Sequence, residues 1–212
     1  MLGDLSMRYE STGDAGCIST GYGDAGGKSY GLYQLASNAG SVDAYIRWLR
    51  QNGYWFADNL AEYPVGSLSF DEAWRWLANS GNSEDFARSQ HAYIKSAYYD
   101  TACAYLARAG YHADKHTATM QDVIWSRAVQ YGAGQVPEMF EAACAFIGYP
   151  NLSYIDAKDF DRDLIKAIYY NVCMTEEWTN GSPALRQGLY NRFKNECQDA
   201  LRMLYNEQDA QR

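Results

Sequence analysis

The chain has 212 residues, 47% hydrophobic and 21% charged, a globular composition long enough to bury a core and unlike that of a disordered segment. Its net charge of −8, with no cluster of Lys and Arg, argues against nucleic acid as a partner. No run approaches the roughly 18 apolar residues of a membrane span, and Met1 to Arg8 lack the basic and apolar regions of a secretory signal peptide.

The first distinctive stretch is Tyr9 to Gln34, YESTGDAGCISTGYGDAGGKSYGLYQ, with seven of the eighteen glycines. So many glycines are poor helix formers, since each costs backbone entropy. They suit a tight loop and hairpin whose backbone approaches a ligand closely. Glu10 precedes the glycines at the end of a short helix and Asp24 lies among them, which suits two carboxylates facing each other across a cleft. Asp14, a third acid, reads as a surface turn.

Beyond Gln34 the apolar spacing turns helical. Ser41 is the expected cap of a helix with Val42, Tyr45, Ile46 and Leu49 on its apolar face, stopped at Gly53. A shorter helix over Ala57 to Tyr63 ends at Pro64, and Ser69 with Glu72 forms a capping box for the next. One long helix is predicted from Asn82 to Ala109, closed by Gly110. Further helices are expected over Thr119 to Val129, Val136 to Ile147, Asp159 to Thr175 and Leu185 to Tyr205. The expectation is one mainly α domain spanning 1–212, with a small Gly-rich β-hairpin near the N-terminus.

The 19 tyrosines and 6 tryptophans pair apolar faces with hydrogen-bonding tips and suit stacking on sugar rings as well as a Tyr-rich core. The five cysteines, Cys17, Cys103, Cys144, Cys173 and Cys197, are odd in number and form no CxxC pair. They read as reduced, mostly buried thiols of a protein made in the cytoplasm. His112 and His116 have ligand-like spacing but no third ligand, so they read as structural. Arg127 and Arg192 are candidates either to orient a carboxylate or to form ion pairs, Arg192 with Glu196 at i,i+4.

Paired carboxylates are the usual equipment for glycoside hydrolysis, one protonated as acid and the other ionised as base or nucleophile. A semi-apolar setting suits Glu10 as the acid, and exposed backbone N–H groups with water suit Asp24 as the base.

The blocks Tyr9-Glu10-Ser11, Ser19 to Gln34 and Ser126-Arg127-Ala128-Val129-Gln130-Tyr131-Gly132 resemble the peptidoglycan-cleaving domain at the C-terminus of VgrG-type secretion spike effectors. Similar domains occur in phage lytic proteins, and the group is related to the chitosanases within the lysozyme-like superfamily. The resemblance implies Glu10 as general acid, Asp24 as the base that activates water, and Ser29, where the chitosanases have Thr, as a holder of that water. The interval from Glu10 to Asp24 is shorter than in the chitosanases, so their inverting stereochemistry is not carried over. Carboxylates roughly 6.5–9.5 Å apart would invert and roughly 5–5.5 Å apart would retain.

Gly31-Leu32-Tyr33-Gln34 resembles the sugar-groove element of lytic transglycosylases and goose-type lysozymes, with Tyr in place of Met. That likeness implies Tyr30, Tyr33 and Gln34 as sugar-cleft residues, and Gln130 and Tyr131 as substrate contacts at a helix end. The expected activity is a muramidase-type peptidoglycan hydrolase that needs no metal or organic cofactor and has glycan strands as its partner. The alternatives are a chitosanase-like enzyme and a catalytically silent glycan-binding or structural phage module. A monomer is expected, acting on the wall after holin-dependent release or contact-dependent secretion, with an immunity protein as a further partner. The short sequence before Glu10 suits a free-standing catalytic domain or one cut from a longer effector.

Overall fold

A computed structural model describes residues 2–10, 13–20, 26–174 and 182–210, and for Glu10, Met174, Ala184 and Leu185 the backbone alone. The architecture is mainly α, with one two-stranded antiparallel hairpin near the N-terminus, as the lysozyme-like resemblance implies. No helix among the described residues is long and apolar enough to cross a membrane. The chain divides into two compact units, Glu10–Ser96 and Met1–Tyr9 with Ala97–Arg212.

In the unit Glu10–Ser96 the hairpin pairs β1 (Ser29–Tyr30) with β2 (Leu35–Ala36), in the register Ser29 to Ala36 and Tyr30 to Leu35. Four helices follow: α2 (Ser41–Gln51), α3 (Ala57–Ala61), α4 (Leu68–Asn79) and α5 (Ser83–Ile94). The core is aromatic. Trp74 of α4 meets Tyr30, Tyr45 and Phe86 at ring-centroid distances of 5.2, 5.9 and 4.9 Å, each edge to face, the arrangement that ring quadrupoles favour.

Two caps differ from the sequence expectation. Gly40, at φ 74°, caps α2, and Ser41 is already helical. The left-handed turn into the helix needs a residue without Cβ there, and Ser41 is displaced by one position. For α4 the cap is Ser67, whose hydroxyl accepts from the Phe70 N–H at 3.1 Å, so Ser69 and Glu72 form no capping box. The predicted helix 82–109 is three pieces: α5, a π-helical turn Lys95–Asp100, and α6 (Thr101–Arg108).

The other unit holds α1 (Asp4–Glu10, up to Tyr9), α6, α7 (Ala118–Tyr131), α8 (Val136–Phe146), α9 (Asp161–Asn171) and α10 (Pro183–Asp209). α7 begins as a capped helix, with the Thr117 hydroxyl accepting from Met120 N–H at 3.1 Å. Its central stretch, Asp122 to Ala128, is buried on all sides, so it reads as a core helix and not as an amphipathic one. None of the five cysteines forms a disulfide, and burial pushes the thiols of Cys144, Cys173 and Cys197 up from their ordinary value.

Candidate active site

Glu10 is the last residue of α1, and the sequence expectation for its side chain lies outside what is described. So does Asp24. What the structure does show is how their flanking segments are held.

α1 is tied down along its length. The Gly3 N–H donates to Asp122 Oδ1 on α7, Leu5 and Ser6 have no exposed surface, and the Tyr9 hydroxyl donates to Asp199 Oδ2 on α10 at 2.7 Å. Burial raises the Tyr9 phenol above its ordinary value, and the Asp199 hydrogen bond adds to that. Asp122 is pushed up to about 6, chiefly because burial disfavours its charge, with the Gly3 N–H donation acting the other way.

Beside this lies a buried charged cluster. The side chains of Arg127 and Glu196 are fully buried, with Arg127 Nη2 2.8 Å from Glu196 Oε1. The Ser126 hydroxyl donates to the same oxygen and accepts from Arg127 Nη2. Burial works against the Arg127 charge, but the Glu196 carboxylate outweighs it and raises its pKa. The guanidinium also lies over the rings of Tyr169, Phe193 and Tyr131 at 4.8, 5.5 and 5.7 Å. Gln130 and Tyr131 thus stand in the last turn of α7, half-buried, with Tyr131 packed on Arg127. Arg192 Nε is 4.0 Å from Glu196 Oε2 at i,i+4.

In the unit Glu10–Ser96 the hairpin is laced to the preceding segment. Ser19 N–H donates to Ser29 O at 2.9 Å, Gly31 N–H to Cys17 O at 2.7 Å, and Ser29 N–H to the Ser19 hydroxyl at 2.8 Å. Asp14 makes the expected turn, accepting from Gly16 N–H at 2.7 Å. The hairpin loop Gly31-Leu32-Tyr33-Gln34 is closed from within by Gln34 Nε2, which donates to Gly31 O at 3.0 Å. Gln34 itself has φ 52°, uncommon for a residue with a Cβ. Gln90 of α5 braces the loop on both sides, accepting from Leu32 N–H at 2.9 Å and donating to Ala15 O at 3.0 Å.

Two of the sugar-cleft expectations need correction. Tyr30 has 0% exposure and its hydroxyl donates to Asp71 Oδ1 at 2.6 Å, while Lys28 Nζ donates to Asp71 Oδ2 at 2.6 Å. Its ring therefore has no free face for a sugar, and its work is to join hairpin to α4. Tyr33 is also buried, with its hydroxyl hydrogen-bonded to His91 Nδ1 at 2.8 Å. Ser29 and Gln34 remain half-buried and reachable. The structure brings Ser29, Tyr30, Tyr33 and Gln34 together on one hairpin, whereas Gln130 and Tyr131 belong to the other unit.

Sequence reasoning missed Asp71, His91, Asp122 and Asp199 as the partners of this scaffold. Asp71 had a visible signal: it shares the buried stripe of α4 with Phe70, Trp74 and Leu77, and a carboxylate on an apolar stripe needs a buried partner. His112 and His116 are structural partners of carboxylates. His112 Nδ1 is 2.8 Å from Asp156, and His116, stacked on Tyr111, has its Nδ1 2.6 Å from Asp161. Burial alone would raise Asp156, but hydrogen bonds from Lys115 and His112 outweigh it and hold the carboxyl at about 2.

The family profile described as "Type VI secretion system spike protein VgrG3-like, C-terminal" matches residues 2–197. The chain belongs to that family. It is also 32% identical over 203 residues to the type VI secretion system spike protein VgrG3 of Vibrio cholerae serotype O1 (strain ATCC 39315 / El Tor Inaba N16961). That alignment takes in 95% of this chain and 19% of the Vibrio protein, so the chain corresponds to about a fifth of its relative's length. The match takes in α1, the glycine-rich segment, the hairpin and α7, the segments that carry the candidate residues.

Proposed function

We propose that this VgrG3-like domain hydrolyses the β-1,4-linked glycan strand of peptidoglycan. Glu10 protonates the leaving oxygen, Asp24 draws a proton from the attacking water, and Ser29 holds that water. The observation that carries the reading is the anchoring of α1. A seven-residue helix would not persist alone, yet Asp122 and Asp199 hold it at both ends, which fixes the backbone position of its last residue, Glu10.

The half-buried Gln34 and Ser29 on the hairpin, and Gln130 and Tyr131 at the end of α7, are the groups left to contact sugar. The revised set omits the rings of Tyr30 and Tyr33. Membership of a spike-protein family supports delivery by type VI secretion over holin-dependent release of a phage endolysin.

The test is mass spectrometry of the products from purified peptidoglycan. Wild type should release reducing-end muropeptides, and Glu10→Gln and Asp24→Asn should release none while remaining folded. Full turnover by either variant would sink the assignment, and cleavage of chitosan alone would move it to a chitosanase.

A further inference from the structure

The helix α4 is two-sided. Asp71 and Trp74 face the hairpin and the core, and about 140° round the helix, at 100° per residue, lie Glu72 and Trp76. This second face is open. Trp76 is 54% exposed and Trp55, before α3, is 53% exposed. Their rings stand 6.5 Å apart and at 85° to each other, an indole corner open to solvent. A groove of about 370 Å³ runs from Trp76 past Tyr63 and is edged by Asn59, Glu62 and Glu72, a volume in the range of small-ligand sites. Among the described residues neither Glu62 nor Glu72 forms an ion pair.

Single exposed aromatics are ordinary on a protein surface, but two half-exposed indoles set ring to ring beside a groove make a contiguous apolar patch of the kind that marks an interaction site. The composition of this face narrows the use. Flat indole and phenol rings stack on the C–H faces of pyranoses, and uncommitted carboxylate and amide oxygens accept from sugar hydroxyl and acetamido N–H groups. Two unneutralised carboxylates disfavour nucleic acid and anionic lipid.

We propose that the Trp55–Trp76 corner and its groove form a non-catalytic binding surface for a β-1,4-linked N-acetylhexosamine strand, on the opposite face of α4 from the hairpin. The choice of glycan rests on the hydrolase reading above. The surface would hold the domain on an insoluble, discontinuously cut substrate. Residence on the wall is then set by these rings, and bond cleavage by Glu10 and Asp24.

The experiment is co-sedimentation with purified sacculi, carried out in the Glu10→Gln background so that the matrix stays intact. Trp55→Ala with Trp76→Ala should weaken retention by about tenfold or more, and Trp76→Tyr should restore most of it. Leu68→Ala, which removes a 78% exposed aliphatic side chain, should leave retention unchanged. Each variant should still unfold cooperatively, since both indoles are about half exposed and only Trp55 touches a core ring, that of Phe56. Retention that is undiminished in the double variant, or equally diminished in Leu68→Ala, overturns the proposal, as does a parent that does not sediment. The hydrolase reading fails separately. If wild type releases no reducing ends while ring-dependent retention is seen, the surface stands and the catalytic assignment falls.

Discussion

The Tyr9 hydroxyl donates to Asp199 Oδ2 at 2.7 Å, and Glu10 is the next residue in the chain. One hydrogen bond across 190 positions therefore fixes the end of the helix that carries the proposed acid. Tyr9→Phe keeps the ring and removes the bond. A net loss of about 1 kcal/mol is expected, read as a melting point lower by about 2–4 °C. Turnover on peptidoglycan should fall with sacculus retention unchanged. A lower melting point with full turnover would make the bond structural only.

Gly31 turns the hairpin at φ +74°. A Cβ there would press on Gln90 Oε1 and lie 2.9 Å from the Trp74 ring, so both the backbone conformation and the space exclude a side chain. Gly31→Ala should destabilise the domain by about 2 kcal/mol or more, seen in urea unfolding. Normal stability would mean that the loop relaxes without its Gln90 brace.

Arg127 and Glu196 give a contrast between breaking a buried pair and replacing it. Glu196→Gln leaves the guanidinium buried without its counter-charge and should cost about 3–5 kcal/mol. The double change Arg127→Met with Glu196→Leu removes both charges and should recover most of that loss. If the double variant is no more stable than the single one, the pair's hydrogen bond to Ser126 and its aromatic packing matter more than its charge.

Asp122 gives a pH signature. Its carboxyl, at about 6 in the folded chain against an ordinary 3.8, binds its proton more tightly folded than unfolded. The stability it contributes is full below about pH 4 and is lost as pH rises through 6, on the order of 3 kcal/mol by neutrality. Asp122→Asn keeps an acceptor for the Gly3 N–H and cannot ionise. Its unfolding free energy should match wild type near pH 4 and exceed it at pH 7. Parallel profiles for the two proteins would refute the shift.

The helices with a plain apolar period were legible in the sequence, α2 and α8 among them, because one buried stripe dictates both spacing and conformation. The π turn at Lys95–Asp100 was not, since apolar residues at spacings of three to five suit a continuous helix equally well. Capping serines at positions 41 and 69 were misplaced by one and two residues, a local choice settled by Gly40 and by the loop before Ser67. Tyr30 shows the deeper reason. A tyrosine in a glycine-rich hairpin suits a sugar platform or a core equally, and the decision came from Asp71, 41 positions away. Spacing and setting offered Glu10 and Asp24 as a candidate carboxylate pair, but only the motif set Glu10 apart from any other helix-terminal acid.

The absence of disulfides among the five cysteines carries a consequence for where the fold can operate. Thiol oxidation and exchange proceed through the thiolate, and burial holds Cys144, Cys173 and Cys197 in the protonated form. Nothing in this architecture waits for an oxidant to be completed, and three of its five sulfurs are slow to meet one. The fold is thus held without a disulfide among these cysteines, so forming it asks nothing of an oxidising compartment.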